Sequence, residues 1–468
     1  MRISIIGAGF SGTALATELA TPNDSDLDVC LVGVRNTFGR GVAYGESRPE
    51  HLLNVRARQL GASVDNPGEF ADWLNLTERG RDSFLPRLAY GEYLQDRLQS
   101  AQALSSNLTC LEYEAIMIER QPGGFRIHLA DGSDFFSDRV VLALGALPPQ
   151  RLAGVGPRLA AHARYIGWPW QDGAIDRIPS DARLLIVGTG LTMADVVATL
   201  RRREHRGAIT ALSRHGRLPQ HHLPDPSPVI ELPPHLRRAL ATRDVGQLLR
   251  AIRSLAPVVH DWRSVIDALR PHTQAFWTSL SPVQRGRFVR HVRSYWEIFR
   301  HRLAPQVAAE LDELQVSGQL RIRAGRLLRA GLSTDGSGVD TLIRDRGQTR
   351  MNSEHYDYLI RATGLDTDIS RTTHPLMMHL RESGLVRADA FGLGVETSAR
   401  YEVMDASGRT VSGLYCLGPL LRSRLWEITA VPELRASARE LATHLLESEQ
   451  ASARPRRAAA AGQRVVKA

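Results

Sequence analysis

Lysine is nearly absent. Of 59 basic residues in the 468-residue chain only Lys467 is lysine, which leaves 58 arginines. The net charge of +9 therefore reads as the imprint of a GC-rich genome rather than a nucleic-acid surface. The arginines are dispersed, apart from Arg454-Pro455-Arg456-Arg457. No basic stripe interleaves with aromatics, so no nucleic-acid partner is expected. Cysteine is scarce too. Cys30, Cys110 and Cys416 lie far apart and form no CxxC pair, which argues against a disulfide framework, a zinc ribbon or dithiol redox chemistry. No apolar run approaches the roughly 18 residues of a membrane-spanning helix, so no membrane partner is expected. The opening Met1-Arg2-Ile3-Ser4-Ile5-Ile6-Gly7 enters a structured motif at once. It leaves no room for a signal peptide, and a cytoplasmic location is expected.

What is present is ordinary in bulk and specific in pattern. The chain is 43% hydrophobic and 23% charged, as a soluble globular protein is, and its length suggests about three domain-sized pieces. Arg2 to Ile6 reads as a strand, Thr13 to Ala20 as a helix and Leu27 to Val32 as the next strand. That order is the opening of a dinucleotide-binding fold. Ile116 to Leu129 and Phe135 to Leu144 read as further strands around the turn Asp131-Gly132. A second strand, turn and helix begins at Arg183, with Leu184 to Val187, Gly188-Thr189-Gly190 and Leu191 to Arg203, followed by strand Ala208 to Ser213. Strand signals then vanish, and Phe288, Val292, Tyr295, Ile298 and Phe299 recur at helical spacing. The expected fold class is α/β, with two Rossmann-like dinucleotide-binding domains and a helical insertion. The first domain begins in 1–150, the second in 151–232, the insert spans 233–315, and 316–448 completes both domains. Residues 449–468 read as a disordered tail.

The chemistry is carried by glycine turns. In Gly7-x-Gly9-x-x-Gly12 the first glycine permits the tight turn, the second admits a pyrophosphate, and the third allows close helix–strand packing. One feature is missing. The acid expected after the second strand, to hold ribose hydroxyls, is replaced by Gly33, and nearby Arg35 has the wrong charge. The second turn keeps Gly188 and Gly190 but has Met193 at the third position. Its following strand ends in Ser213-Arg214-His215-Gly216-Arg217. Guanidinium groups there suit a 2′-phosphate, which favours NADPH over NADH; the plainer reading is that arginine is abundant in this chain. Arg40, in Gly39-Arg40-Gly41-Val42-Ala43-Tyr44-Gly45, and Asn54, in Leu53-Asn54-Val55, are further cofactor-contact candidates. So are Gly364 and Gly418, at the ends of two late apolar strands, where a side chain would meet the cofactor. A helix from about Trp426 is expected to aim its N-terminus at that cofactor. His221-His222 are adjacent in a proline-rich loop and lack partners at ligand spacing, so no metal site is expected. No catalytic side chain is identified.

With these residues in place, the sequence resembles the bacterial FAD/NAD(P)-binding flavoproteins. The likeness rests on the turn Gly7 to Gly12, the segments Gly39 to Gly45 and His51 to Val55, the stretch from Arg290-His291 to Pro305, and the late turn Ala362-Thr363-Gly364. It covers most of residues 1–445. The resemblance implies FAD at the first turn and NAD(P)H at the second. It implies a cytoplasmic FAD-dependent monooxygenase that draws hydride from NAD(P)H and passes oxygen from O₂ to a small molecule, the protein supplying orientation and a dry pocket. Among the activities of this group, hydroxylation of urate to 5-hydroxyisourate in purine breakdown is the leading expectation. N-hydroxylation or another NAD(P)H oxidoreduction is the alternative. A cofactor-binding regulator without activity is the second alternative, and the missing acid at Gly33 is its only support.

Overall fold

The computed structural model describes residues 1–20, 27–45, 47–171, 173–255, 259 and 261–447. The expected tail at 449–468 and the arginine run at 454–457 lie outside the described residues.

Strand β1 (Arg2–Ile6) leads through α1 (Phe10–Leu19) to β2 (Asp28–Val32). Helix α2 (Arg87–Leu104) follows, then β3 (Leu108–Leu111). Ile3, Ile5, Val29 and Leu31 are wholly buried, as expected where both faces of a parallel sheet are covered. Three antiparallel strands, β4 (Ala115–Gln121), β5 (Gly124–Leu129) and β6 (Asp134–Ser137), form their own small sheet before β7 (Arg139–Leu142) rejoins the first. This region breaks more often than the sequence pattern suggested. Gly123 turns at φ +84° between β4 and β5, a conformation glycine adopts freely, and Asp138 separates β6 from β7.

The second domain starts with β8 (Tyr165–Ile166), β9 (Leu184–Val187), α3 (Leu191–Arg202) and β10 (Ile209–Ser213). The insert then runs through α4 (Pro234–Ala241), α5 (Val245–Leu255), α6 (Trp262–Ser279) and α7 (Pro282–Arg287). A π-helical turn, Phe288–Val292, continues into α8 (Arg293–Arg300). Helix α9 (Pro305–Val316) puts Ala308, Leu311 and Leu314 into the core of the second domain. Strands β11 (Leu320–Leu332), β12 (Val339–Asp345), β13 (Met351–Tyr356) and β14 (Tyr358–Arg361) complete a seven-stranded sheet in the order β13-β12-β11-β10-β9-β14-β8. The chain returns through β15 (Glu402–Met404) and β16 (Thr410–Cys416), which close the first sheet in the order β15-β16-β7-β1-β2-β3. The fold is thus α/β, with two Rossmann-like sheets and helices inserted between β10 and β11.

Helix α10 (Pro375–Glu382) precedes the final helix, α11, which spans residues 431–447. The sequence reading started it near Trp426. Pro432 sits in its first turn, where its missing N–H costs nothing, and residues 422–430 form turns whose side chains reach the insert.

The two domains are tied directly. Arg87 on α2 grips Asp195 on α3 with two hydrogen bonds of 2.8 and 3.2 Å. Arg48 does the same to Asp176 at 2.9 and 2.8 Å, and His51 Nε2 pairs with Thr199 Oγ1 at 2.9 Å. The His51–Val55 segment thus carries part of the contact between domains.

Candidate functional site

At the first turn, protein backbone fills the space beside Gly7 and Gly12. Gly7 has φ +112°, and a Cβ there would overlap the Ala143 carbonyl. A Cβ on Gly12 would overlap the Gly7 carbonyl oxygen, so the third glycine lets α1 lie close on β1. Gly9 caps α1, and a Cβ there would stand 3.4 Å from Gly41 Cα. Gly33 has the same explanation. A Cβ there would overlap the Ala8 side chain inside the turn, so an acid cannot occupy that position without moving Ala8. Arg35 is exposed and faces Glu112 at 3.7 Å.

The other candidates of the first domain fall in two places. Arg40 lies against Gly91 of α2, and its buried Nε has no hydrogen-bond partner among the described residues. Gly418, at φ +93°, approaches Ser11 in the first turn of α1, where a Cβ would come within 2.7 Å of Ser11 Oγ. These two, with Gly7, Gly9 and Gly12, surround the start of α1, and the unpaired Arg40 N–H fits an anionic diphosphate there. Asn54 is held by its backbone. Its carbonyl pairs with His222 Nε2 at 3.1 Å, at the contact with the second domain. Burial, then the nearby Arg302, pushes the His222 pKa down to about 4, so this histidine is a neutral structural partner.

The second turn opens on empty space. Gly188, at φ +122°, is required by the Ala362 carbonyl. Gly190 is different. Its φ of −90° suits any residue, and a Cβ there would meet nothing within 4 Å. Neither backbone strain nor packing calls for glycine at this position. The void beside it is a cavity of about 310 Å³. The turn side is lined by Gly190, Ser213, Arg214 and Arg217, and the insert side by Ser294, Glu297, Ile298 and His301. Four of the sequence-selected residues thus meet at one cavity. Thr189 Oγ1 donates to the Arg217 carbonyl at 2.6 Å, and Gly216 N–H donates to Ser213 Oγ at 3.0 Å, which fixes the loop. Arg217 is stacked 3.6 Å from the Tyr295 ring centre and donates to Ser294 Oγ, whereas Arg214 is exposed. Gly364, at φ +77°, also faces open space.

The insert side was not legible in the sequence. Burial, then the Arg300 guanidinium, drives the His301 pKa down to about 3. Burial raises the Glu297 carboxyl, but Arg293 and Arg422 outweigh it and hold its pKa below the usual range. Behind this wall the insert is bolted to the C-terminal segment. Glu427 accepts from Trp296 Nε1 at 2.8 Å and Arg300 Nε at 2.9 Å. Arg270 holds Glu433 through two bonds of 2.8 and 2.7 Å. Trp426 is buried against Trp277 and Phe288 of the insert, which is why the helix expected there begins later. No helix among the described residues is long and apolar enough to cross a membrane.

The arrangement has relatives. A protein of unknown role from Mycobacterium tuberculosis is 23% identical over 96% of each chain. The solved ornithine hydroxylase of Pseudomonas aeruginosa is 18% identical, covering 95% of this chain and 98% of that one, with a TM-score of 0.64. The L-lysine 6-monooxygenase of Pseudomonas syringae is 16% identical over 95% and 99%, with a TM-score of 0.63. The thioredoxin reductase of T. acidophilum is 12% identical over 96% and 98%, at 0.52. These likenesses establish the fold. Residues 4–147, which carry the first glycine turn, match the FAD-NAD(P)-binding family.

Proposed function

We propose that this chain is an FAD-dependent monooxygenase that consumes NAD(P)H and hydroxylates a nitrogen atom of a small molecule. The observation that carries this reading is the Gly190 cavity: a second dinucleotide turn whose glycine serves no packing need and whose void is roofed by the insert. FAD would be held by Gly7, Gly9, Gly12, Arg40 and Gly418, and NAD(P)H by Gly190, Ser213, Arg214 and Arg217. Bound FAD supplies hydride acceptance from the nicotinamide and activation of O₂. The chain supplies the rest. The N-terminus of α3 and Arg214 would hold phosphate groups, and the insert covers one side of the cavity.

The thiols favour this over disulfide reduction, which the same fold also supports. Burial pushes Cys30 up to about 12, Cys110 up to about 11 and Cys416 up to about 12. Such thiols stay protonated and are poor nucleophiles. Urate, the leading expectation from the resemblance, has no counterpart among the proteins named above. The ornithine and lysine hydroxylases favour nitrogen as the acceptor instead.

The test is NADPH oxidation by the purified protein across a panel of amines, including ornithine and lysine, with urate alongside, under labelled O₂. An amine is expected to accelerate NADPH consumption and to acquire label as a hydroxylamine. Absence of bound flavin would overturn the reading. Oxidation of NADPH without label in any product would reduce it to a plain oxidoreductase.

A further inference from the structure

Beside the second turn, the hairpin of β11 and β12 carries arginines that no acid answers. Side chains alternate between the two faces of a strand. On one face Arg323 takes both nearby carboxylates, Asp345 and Glu354. On the other face Arg326 stands directly opposite Arg344 in the antiparallel register, and like charges so placed repel. Arg346 continues that face. It follows Arg344 by two residues, and its backbone N–H donates to the Ala324 carbonyl at 2.9 Å. The remaining acid of β11, β12 and β13, Asp340, is held by His355 at 2.9 Å. Arg326, Arg344 and Arg346 are exposed. None of their side chains has a hydrogen-bond or ion-pair partner among the described residues.

This face meets the cavity. Ser213 pairs with Ala324 in the parallel register of β10 and β11. The loop after Ser213 lies over Ala324, since a Cβ on Gly216 would stand 3.0 Å from Ala324 Cβ. That loop carries Arg214, also exposed and without a partner among the described residues. It also carries His215, whose buried Nδ1 has no hydrogen-bond partner there. Both line the cavity beside Gly190. Arg346 is bonded through its backbone to the residue beneath this loop, and Arg326 stands two residues beyond it on the same face. The electrostatics agree with that placement: burial, then the fields of Arg217, Arg346, Arg214 and Arg326, push the His215 pKa down. Three uncompensated guanidinium groups from two elements thus border one rim of the cavity. A phosphate monoester suits them, with about two negative charges and three acceptor oxygens for their planar forks. A carboxylate brings half that charge.

We propose that Arg326 and Arg346 act with Arg214 as specificity residues that hold the 2′-phosphate of NADPH at the rim of the cavity. The proposal rests on the NAD(P)H reading of that cavity and adds the hairpin to it. The test is calorimetric titration of the flavin-loaded protein with adenosine 2′,5′-bisphosphate and with 5′-AMP at constant ionic strength. Wild type is expected to bind the bisphosphate about a hundredfold more tightly than 5′-AMP. Arg326→Gln and Arg346→Gln should each weaken the bisphosphate about tenfold and change 5′-AMP by about twofold or less. Arg321→Gln removes the same charge from an exposed position on the opposite face of β11, and should leave both ligands as in wild type. Equal wild-type affinity for the two ligands would overturn the proposal, and that comparison needs no variant to fold. An undiminished preference for the bisphosphate in both folded variants would also overturn it, because the turn alone would then hold the phosphate, while the NAD(P)H reading would stand. So would a loss in Arg321→Gln as large as in Arg346→Gln, since net charge alone would then be at work. Failure of NADPH and of both fragments to bind would defeat the NAD(P)H reading of the cavity, and the proposal with it.

Discussion

The two glycine turns look alike in sequence and do different work in the fold. In the first, Gly7, Gly12 and Gly33 are demanded by protein atoms: Ala143, Gly7 and Ala8 stand where their side chains would go. In the second, Gly188 is demanded in the same way by Ala362; Gly190 meets nothing within 4 Å, where its counterpart Gly9, at φ −75°, makes an ordinary 3.4 Å contact with Gly41. The third position shows the contrast from the other side. Gly12 has no room for one carbon, while Met193 places a whole side chain in the core with no exposed surface. The first turn is tight because α1 lies against the backbone of β1. The second stands off and fills the gap with methionine. A glycine can therefore mark either packing or a ligand, and only the space beside it tells which.

Breaking the first turn is expected to give the largest effect. Gly12→Ala forces a methyl group into a backbone carbonyl, and should cost on the order of 3 kcal/mol or more, since a carbonyl cannot rotate aside as a side chain can. Thermal melting should fall by several degrees and flavin content should fall with it. Melting unchanged from wild type would mean that α1 can shift freely, and the contrast between the turns would collapse.

Gly190→Val probes the opposite case. The backbone tolerates the side chain and nothing packed lies within 4 Å of its Cβ, so melting and flavin content should stay close to wild type. NADPH affinity measured by titration should drop about a hundredfold, because the side chain occupies the cavity where the pyrophosphate is expected. A destabilised Gly190→Val protein, or one that binds NADPH normally, would show that the void serves another purpose.

A third experiment sharpens the second turn alone. Each charge-assisted contact to a 2′-phosphate contributes about 1.5–3 kcal/mol. Arg214→Ala should therefore weaken NADPH by roughly ten- to a hundredfold while sparing NADH. Arg217→Ala should lose less discrimination and more stability, since that guanidinium is already stacked on Tyr295 and bound to Ser294. Equal loss of both coenzymes in Arg214→Ala would place the discrimination elsewhere.

These differences explain what could be read from the chain. Both strand–turn–helix units were legible because they are local: the strand Leu184–Val187 and the helix starting at Leu191 fall where the pattern put them. Gly190, Ser213, Arg214 and Arg217 could be brought to one cavity from sequence because they stand at or after strand ends. The far wall was not. Trp296 and Arg300 meet Glu427 across 131 and 127 residues, and no spacing signals such a pairing. The π-helical turn at Phe288–Val292 was equally hidden, since it leaves the run of apolar residues unbroken. The contact made by the Asn54 carbonyl was hidden for a related reason. The surrounding motif reads as a cofactor loop, but the carbonyl belongs to the contact between domains.

The last expected effect is a pH dependence to which two histidines at and beside the second site contribute. His301 faces the cavity and His222 ties the adjoining loop to Asn54, and their folded pKa values are depressed to about 3 and about 4, mainly by burial. Unfolded, both titrate near 6.5. Below that pH the unfolded chain binds protons that the folded chain refuses, so folded-state stability is lost as pH falls from about 6.5 toward 4, and is fully present above that window. For His301 the loss is about 1 kcal/mol or less at pH 6 and grows at up to about 1.4 kcal/mol per unit below it. His301→Gln cannot titrate, so its melting temperature should fall less steeply than wild type between pH 6.5 and 4.5, with the two curves parallel from pH 7 to 8. Identical slopes across the acid range would mean that His301 reaches bulk solvent in the folded protein, and the cavity would then be an open groove rather than a site roofed by the insert.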